Sequence, residues 1–175
     1  MDNIQKFTIA HIDDDPMILD MTKLILEQNE HFEISSYSTA EDFLSAIELK
    51  GKPHLVIVDY FLNSKIPSAM SGSKLIQIFR SQRDQIPVIV ISSQKKLSVA
   101  LKLIKLQVVD YIEKTDDFSS RIVDSVNDVI KMQKICFKKN QIARVIRKDQ
   151  EHLLRLALIL FSGLAITYLL GMVFL

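Results

Sequence analysis

The stretch "TIAHIDDDPMIL" (residues 8–19) decides how the chain is read. An apolar run of strand length ends in three consecutive carboxylates, Asp13, Asp14 and Asp15, and a proline follows at once. Like charges about 4 Å apart repel by roughly 4 kcal/mol at an effective dielectric near 20. A fold keeps such a cluster when a cation, a shared proton or solvent relieves it. Asp15–Pro16 has the form of a helix cap followed by proline at the first helical position. The aspartates therefore mark a strand–turn–helix junction.

Working outward, residues 1–130 repeat this alternation. Strand-length apolar runs appear at "FTIAHI" (7–12), "FEISSY" (32–37), "HLVIVDY" (54–60), "PVIVIS" (87–92) and "VVDYIE" (108–113). Helical patterns fall between them at 16–28, 40–49, 72–82 and 95–106, and a fifth begins near Ser119. Ser38 and Glu41 stand at capping-box spacing before the second helix. Alternating strands and helices imply βαβ units and a parallel sheet. The third and fourth runs are almost wholly apolar, as strands covered on both faces should be. The expected fold is a doubly wound α/β sandwich with five parallel strands in the order 2-1-3-4-5.

The chain's net charge of +1 hides an asymmetry. Residues 1–130 carry 14 Lys/Arg against 19 Asp/Glu, whereas residues 131–155 carry 8 against 2. From Ser119 to His152 there is no Pro or Gly, so the fifth helix should run on as a basic stalk or juxtamembrane segment over 131–154. Met132, Ile135, Ile142, Ile146 and Leu153 trace a heptad through it, interrupted by Lys139 and Asp149. The last 20 residues, "LALILFSGLAITYLLGMVFL" (156–175), hold no charge. That length of helix spans about 30 Å, one hydrocarbon core, so 155–175 reads as a single transmembrane helix. The basic flank places the N-terminal domain in the cytoplasm by the positive-inside rule. Gly163, Thr167 and Gly171, four apart, would let two such helices pack closely as a homodimer. "MDNIQKFTIA" does not have the form of a signal peptide. Cys136, the one cysteine, cannot form an internal disulfide, and His11 inside the first strand reads as a core histidine.

Ligands of open parallel sheets bind beyond the carboxyl ends of the strands. There the first strand delivers Asp13 and Asp14, the third Asp59, the fourth Ser92 and the fifth Lys114. Three carboxylates suit Mg²⁺, a hard cation that keeps several waters. A lysine and a hydroxyl opposite them suit the oxygens of a phosphoryl group, whose transfer needs mainly positioning and charge neutralisation. Asp15 is left to cap the helix.

These elements together ("IDDDP", "LVIVDYFL", "MSG", "PVIVISS" and "VVDYIEK") resemble, in order and spacing, the receiver domain of two-component response regulators. The resemblance covers about residues 5–130 and implies the flavodoxin-like (βα)5 fold. It implies that Asp59 accepts a phosphoryl group from a histidine kinase or phosphotransfer protein. Asp13, Asp14, Asp59 and the backbone carbonyl of Phe61 would hold Mg²⁺. Lys114 and Ser92 would contact the phosphoryl oxygens, and Tyr111 would change rotamer with them. Three departures stand out. "LNSKIPSAMSG" delays Met70 and Gly72 by about five residues, Thr115 replaces the family's usual proline after the lysine, and the apolar Phe61 cannot orient a water. A trans Lys114–Thr115 bond and slow self-dephosphorylation are therefore expected.

The expected function is a membrane-anchored single-domain response regulator without enzymatic output of its own, signalling to a downstream protein. No helix-turn-helix follows the domain, and no nucleic-acid partner is expected. Two rivals remain: a phosphorylation-independent receiver-like adaptor, and a haloacid-dehalogenase-like phosphatase. The second would use Asp13 and Asp15 as its Asp-x-Asp, with Asp116–Asp117 downstream, and would leave Asp59 without a role.

Overall fold

The computed structural model describes residues 6–62, 68–82, 86–93 and 102–173, with the backbone alone at 160 and 163–173. Five parallel strands, β1 (Phe7–Ile12), β2 (Phe32–Tyr37), β3 (Leu55–Asp59), β4 (Val88–Ser92) and β5 (Asp110–Glu113), form one sheet in the order β2-β1-β3-β4-β5. The helices are α1 (Pro16–Leu26), α2 (Ala40–Lys50), α3 (Gly72–Ser81), the helical residues 102–105 of α4, and α5 (Phe118–Val173). The expected strand order is met. The first part of the expected fourth helix, residues 95–101, lies outside the described residues.

Every residue of β3 and of β4 is buried, which is why both read as unbroken apolar runs. Side chains alternate across the sheet. Ala10, Ile12, Val56, Val58, Val88 and Val90 face one layer, packing with Phe43 of α2, Leu75, Ile76 and Phe79 of α3, and Leu103 of α4. Phe43 and Phe79 meet edge to face at 5.9 Å. The alternate residues, among them Ile9, His11, Ile57, Ile89 and Ile91, point to the opposite layer. There α1 contributes Leu19 and Leu26, and the first turns of α5 contribute Ile122, Val126 and Val129, all buried.

Local signals set the helix starts. Asp15 caps α1 by accepting the Met17 N–H at 3.0 Å, with Pro16 at the first helical position. For α2 the cap is Thr39, accepting from Asp42, and not the expected Ser38. Thr39 is extended (φ −137°, ψ 155°), so the helix begins at Ala40 as expected, with its cap at Thr39 and Glu41 outside a capping box with Ser38. Glu41 Oε1 instead accepts the Met70 N–H at 2.8 Å and ties the end of the β3–α3 connection to α2. Residues 63–67 of that connection lie outside the described residues. All peptide bonds among the described residues are trans, Lys114–Thr115 included.

The chain divides into two compact units, Met1–Val129 and Ile130–Leu175. In the second, Met132, Ile135, Ile142, Ile146 and Leu153 are exposed. Among the described residues no helix is long and apolar enough to cross a membrane. The transmembrane helix expected over 155–175 thus finds no support there, and the side chains of 160 and 163–175 lie outside the description.

Gly72, at the start of α3, lies against the end of β3. A Cβ built on it would lie far inside van der Waals contact with the Asp59 carbonyl oxygen. Backbone cannot yield as a flexible side chain does. Gly72→Ala is therefore expected to cost about 1–3 kcal/mol or more, read as a lower urea midpoint, and to displace Asp59.

Candidate functional site

Register builds the site. Ile12 pairs with Val58, so Asp13 emerges level with Asp59. Asp59 pairs with Ile91, and Ser92 with Glu113, so Ser92 and Lys114 arrive at the same edge. The Lys114 N–H donates to the Ser92 carbonyl at 2.9 Å, which extends the ladder one step and holds the lysine over the site. Its Nζ bridges two carboxylates, 2.8 Å from Asp13 Oδ2 and 3.0 Å from Asp59 Oδ2. The remaining oxygens are held by backbone: Asp13 Oδ1 accepts from Asp15 N–H at 2.9 Å, and Asp59 Oδ1 from Phe61 N–H at 3.1 Å.

Asp13 is fully buried and Asp59 is 6% exposed. Asp13, Asp14 and Asp59 each offer a carboxylate oxygen, all within 4.8 Å of one another. One ammonium against three carboxylates leaves an excess of negative charge in a largely dry place. An all-oxygen set of this kind fits a hard divalent cation. Asp15 is not part of this trio; its Oδ1 accepts the Met17 N–H as the cap of α1.

The electrostatics reflect the crowding. Burial, against the hydrogen bond and charge of Lys114 and with help from the Asp59 charge, raises the Asp13 carboxyl to about 6. Burial works against the charge on Lys114, but its bonds to Asp13 and Asp59 outweigh it and hold its pKa above the usual lysine value. His11 is neutral: burial first, then the Lys114 charge, lower it to about 3.

Ser92 is fully buried at the end of β4. Tyr111 is half-buried against the cluster that contains Leu103, with its carbonyl accepting from Arg121 at 3.3 Å. The expected residues Asp13, Asp14, Asp59, Ser92 and Lys114 thus share one strand edge, and Tyr111 lies on neighbouring β5. Thr115, in the position of the usual proline, hydrogen-bonds Asp117 and the Glu113 carbonyl at the start of α5.

The Response regulator receiver domain family matches residues 9–127. The chain belongs to this family. Transcriptional regulatory protein MalR of Bacillus subtilis is 30% identical over 126 residues, covering 71% of this chain and 50% of MalR. Nitrogen assimilation regulatory protein NtrX of Azorhizobium caulinodans is 29% identical over 106 residues, covering 61% of this chain and 22% of NtrX. The chain therefore spans about half of the first relative and less of the second. Among solved structures, a CheY-like receiver domain protein from Methanospirillum hungatei superposes with a TM-score of 0.61 at 26% identity, over 74% of this chain and 98% of that one. NtrX from Brucella abortus gives 0.65 at 25% identity, over 76% of this chain and 29% of that one.

Three features of the receiver escaped sequence reading. The Glu41–Met70 bond depends on a contact 29 residues apart. His54 Nδ1 pairs with Thr8 at the opposite end of the sheet while its ring stacks on Phe7. His11 Nε2 faces Asp13 Oδ2 at 4.0 Å.

The raised Asp13 makes a signed prediction for the metal-free protein. Its pKa is about 3.9 when unfolded and about 6 when folded. Between these values the native state keeps a proton that the unfolded state has lost. The Asp13 contribution to stability therefore falls as pH rises from about 4 to 6, and the full cost remains above. Asp13→Asn should raise the unfolding free energy at pH 7 in chelator by on the order of 1–3 kcal/mol. The gain should vanish near pH 4, as urea denaturation at both pH values will show.

Proposed function

We propose that this receiver is a phosphorylation switch in which Asp59 takes the phosphoryl group of a phosphohistidine on a sensor kinase or phosphotransfer protein. A carboxylate oxygen of Asp59 forms the new P–O bond as the donor's P–N bond breaks, and the imidazole leaves. The observation that carries the reading is the Lys114 bridge between Asp13 and Asp59, which keeps a positive charge beside the place where phosphoryl oxygens would arrive. Asp13, Asp14, Asp59 and the Phe61 carbonyl would hold Mg²⁺, which when bound neutralises charge on the transferring group. Ser92 contributes a hydroxyl from β4, and Tyr111 reports the change to the surface beside α4. The chain supplies no enzymatic output in this reading and acts by switching a protein partner.

We place the switch at a membrane on sequence grounds alone. The basic segment 131–155 adjoins 20 uncharged residues, and Lys/Arg near an anionic surface contribute about 1 kcal/mol each. The apolar face through Met132, Ile135, Ile142, Ile146 and Leu153 supports pairing of two copies.

The full chain, solubilised in mild detergent and given Mg²⁺ and acetyl phosphate, should gain one phosphoryl mass. The adduct should disappear in Asp59→Ala. It should decay slowly, and Phe61→Asn, which can orient a water, should shorten its lifetime. An adduct that survives Asp59→Ala but is lost in Asp13→Ala would transfer the case to the phosphatase. Vesicle flotation that is unchanged by deletion of 156–175 would remove the anchor.

A further inference from the structure

We propose that His11 is a positioning residue of this site, the hydrogen-bond donor that takes over Asp13 when Lys114 turns to the phosphoryl group on Asp59. The proposal rests on the Asp59 reading above. His11 is fully buried in β1, and neither ring nitrogen has a hydrogen-bond partner. A buried polar group without a partner costs about 1–3 kcal/mol, and native interiors keep few of them. Leucine or methionine would fill this place with no such cost. The imidazole lies beside a carboxylate that can use a spare donor: Nε2 is 4.0 Å from Asp13 Oδ2.

Asp13 makes that use specific. Its Oδ1 is held by the Asp15 N–H. Its Oδ2 relies on Lys114, which also serves Asp59. An aspartyl phosphate on Asp59 moves the negative charge outward onto three new oxygens, and the ammonium follows it. Asp13 Oδ2 then loses its ammonium partner and can take a donor from His11 beside the Mg²⁺ that Asp13 would help to hold. Closing the gap from His11 to a normal hydrogen bond requires about 1 Å of movement, within reach of a small side-chain rotation. A carboxylate that ligates a metal is commonly oriented by such a partner. A neutral imidazole supplies one N–H here without competing with Lys114 for the phosphoryl oxygens.

The test uses the full chain with ¹⁵N-labelled histidine. Beryllium fluoride with Mg²⁺ serves as the phosphoryl analogue. The His11 N–H should move to a hydrogen-bonded shift on adding it. The same shift should appear in Lys114→Met with no analogue present, because Asp13 is then left to His11. Acetyl phosphate labelling follows the function. His11→Leu should raise the Mg²⁺ needed for half-maximal adduct about tenfold and shorten the adduct's lifetime, while melting of the resting protein stays equal or rises. His11→Gln, which can donate from a similar place, should remain close to wild type. A His11 signal that stays unmoved either by the analogue or in Lys114→Met overturns the proposal. Equal effects of the Leu and Gln variants overturn it too, by showing a packing role only. A wild-type chain that takes neither acetyl phosphate nor beryllium fluoride overturns the Asp59 reading and, with it, the takeover. The Lys114→Met spectrum would then still show separately whether His11 reaches Asp13.

Discussion

The structure turns on one ammonium shared by two buried carboxylates. Lys114 lies within 3.0 Å of an oxygen on both Asp13 and Asp59, at the carboxyl end of a sheet whose strands β3 and β4 are buried throughout. Buried ion pairs seldom stabilise a fold more than well-packed apolar groups of the same volume would. Here the balance is worse than even, because Asp14 adds a third carboxylate within reach of the same cation position. A chain selected for stability alone would have no use for this arrangement. It makes sense as a site held ready for charge that arrives from outside: a divalent cation to offset the acids, and a phosphoryl group to engage the lysine.

The rest of the receiver keeps those charges together. A one-residue slip of β3 against β1 would turn Asp59 to the other face of the sheet. Close packing prevents this: Val56 and Val58 fit the layer of α2 and α3 while Ile57 lies on the opposite face, so a slip would exchange side chains of different size between two packed layers. The acid–lysine geometry is therefore fixed by core packing well away from it. The Lys114 N–H bond to Ser92 adds the last rung, so the lysine backbone is set by the sheet and only its side chain is left to move.

What the sequence disclosed follows from the range of each interaction. The strands, the acidic trio, Ser92 and Lys114 were legible because each is marked by local pattern, an apolar run and then a polar residue at its carboxyl end, whereas the strand order followed from the fold class. The Asp15–Pro16 cap was legible for the same reason. Contacts between distant residues were not. Ser38 and Thr39 both make good caps, and only the backbone conformation at Thr39 chooses between them. His54 carries no sign that Thr8 and Phe7 await it. His11 was readable as buried, but its distance from Asp13 depends on how β1 ends, which composition does not encode. The residues after Lys114 show the converse. The loss of the family's proline was plain in the sequence, whereas the bonds of Thr115 to Asp117 and Glu113 required the fold.

The longer connection after Asp59 shows how the site tolerates change. Its described ends are fixed in three ways. Leu62 is buried in the core, the Met70 N–H is held by Glu41, and Gly72 lies against the Asp59 carbonyl. Extra chain between fixed ends costs little, since doubling a loop adds only about 0.6 kcal/mol of closure entropy. Asp59 accordingly keeps its register with Ile91 despite the longer connection. A partner that approaches Asp59 still meets the family's carboxylates, hydroxyl and lysine, but beside a connection of a different length. Specificity can thus diverge in that connection while the chemistry, fixed by sheet register and by a glycine that admits no side chain, stays the same.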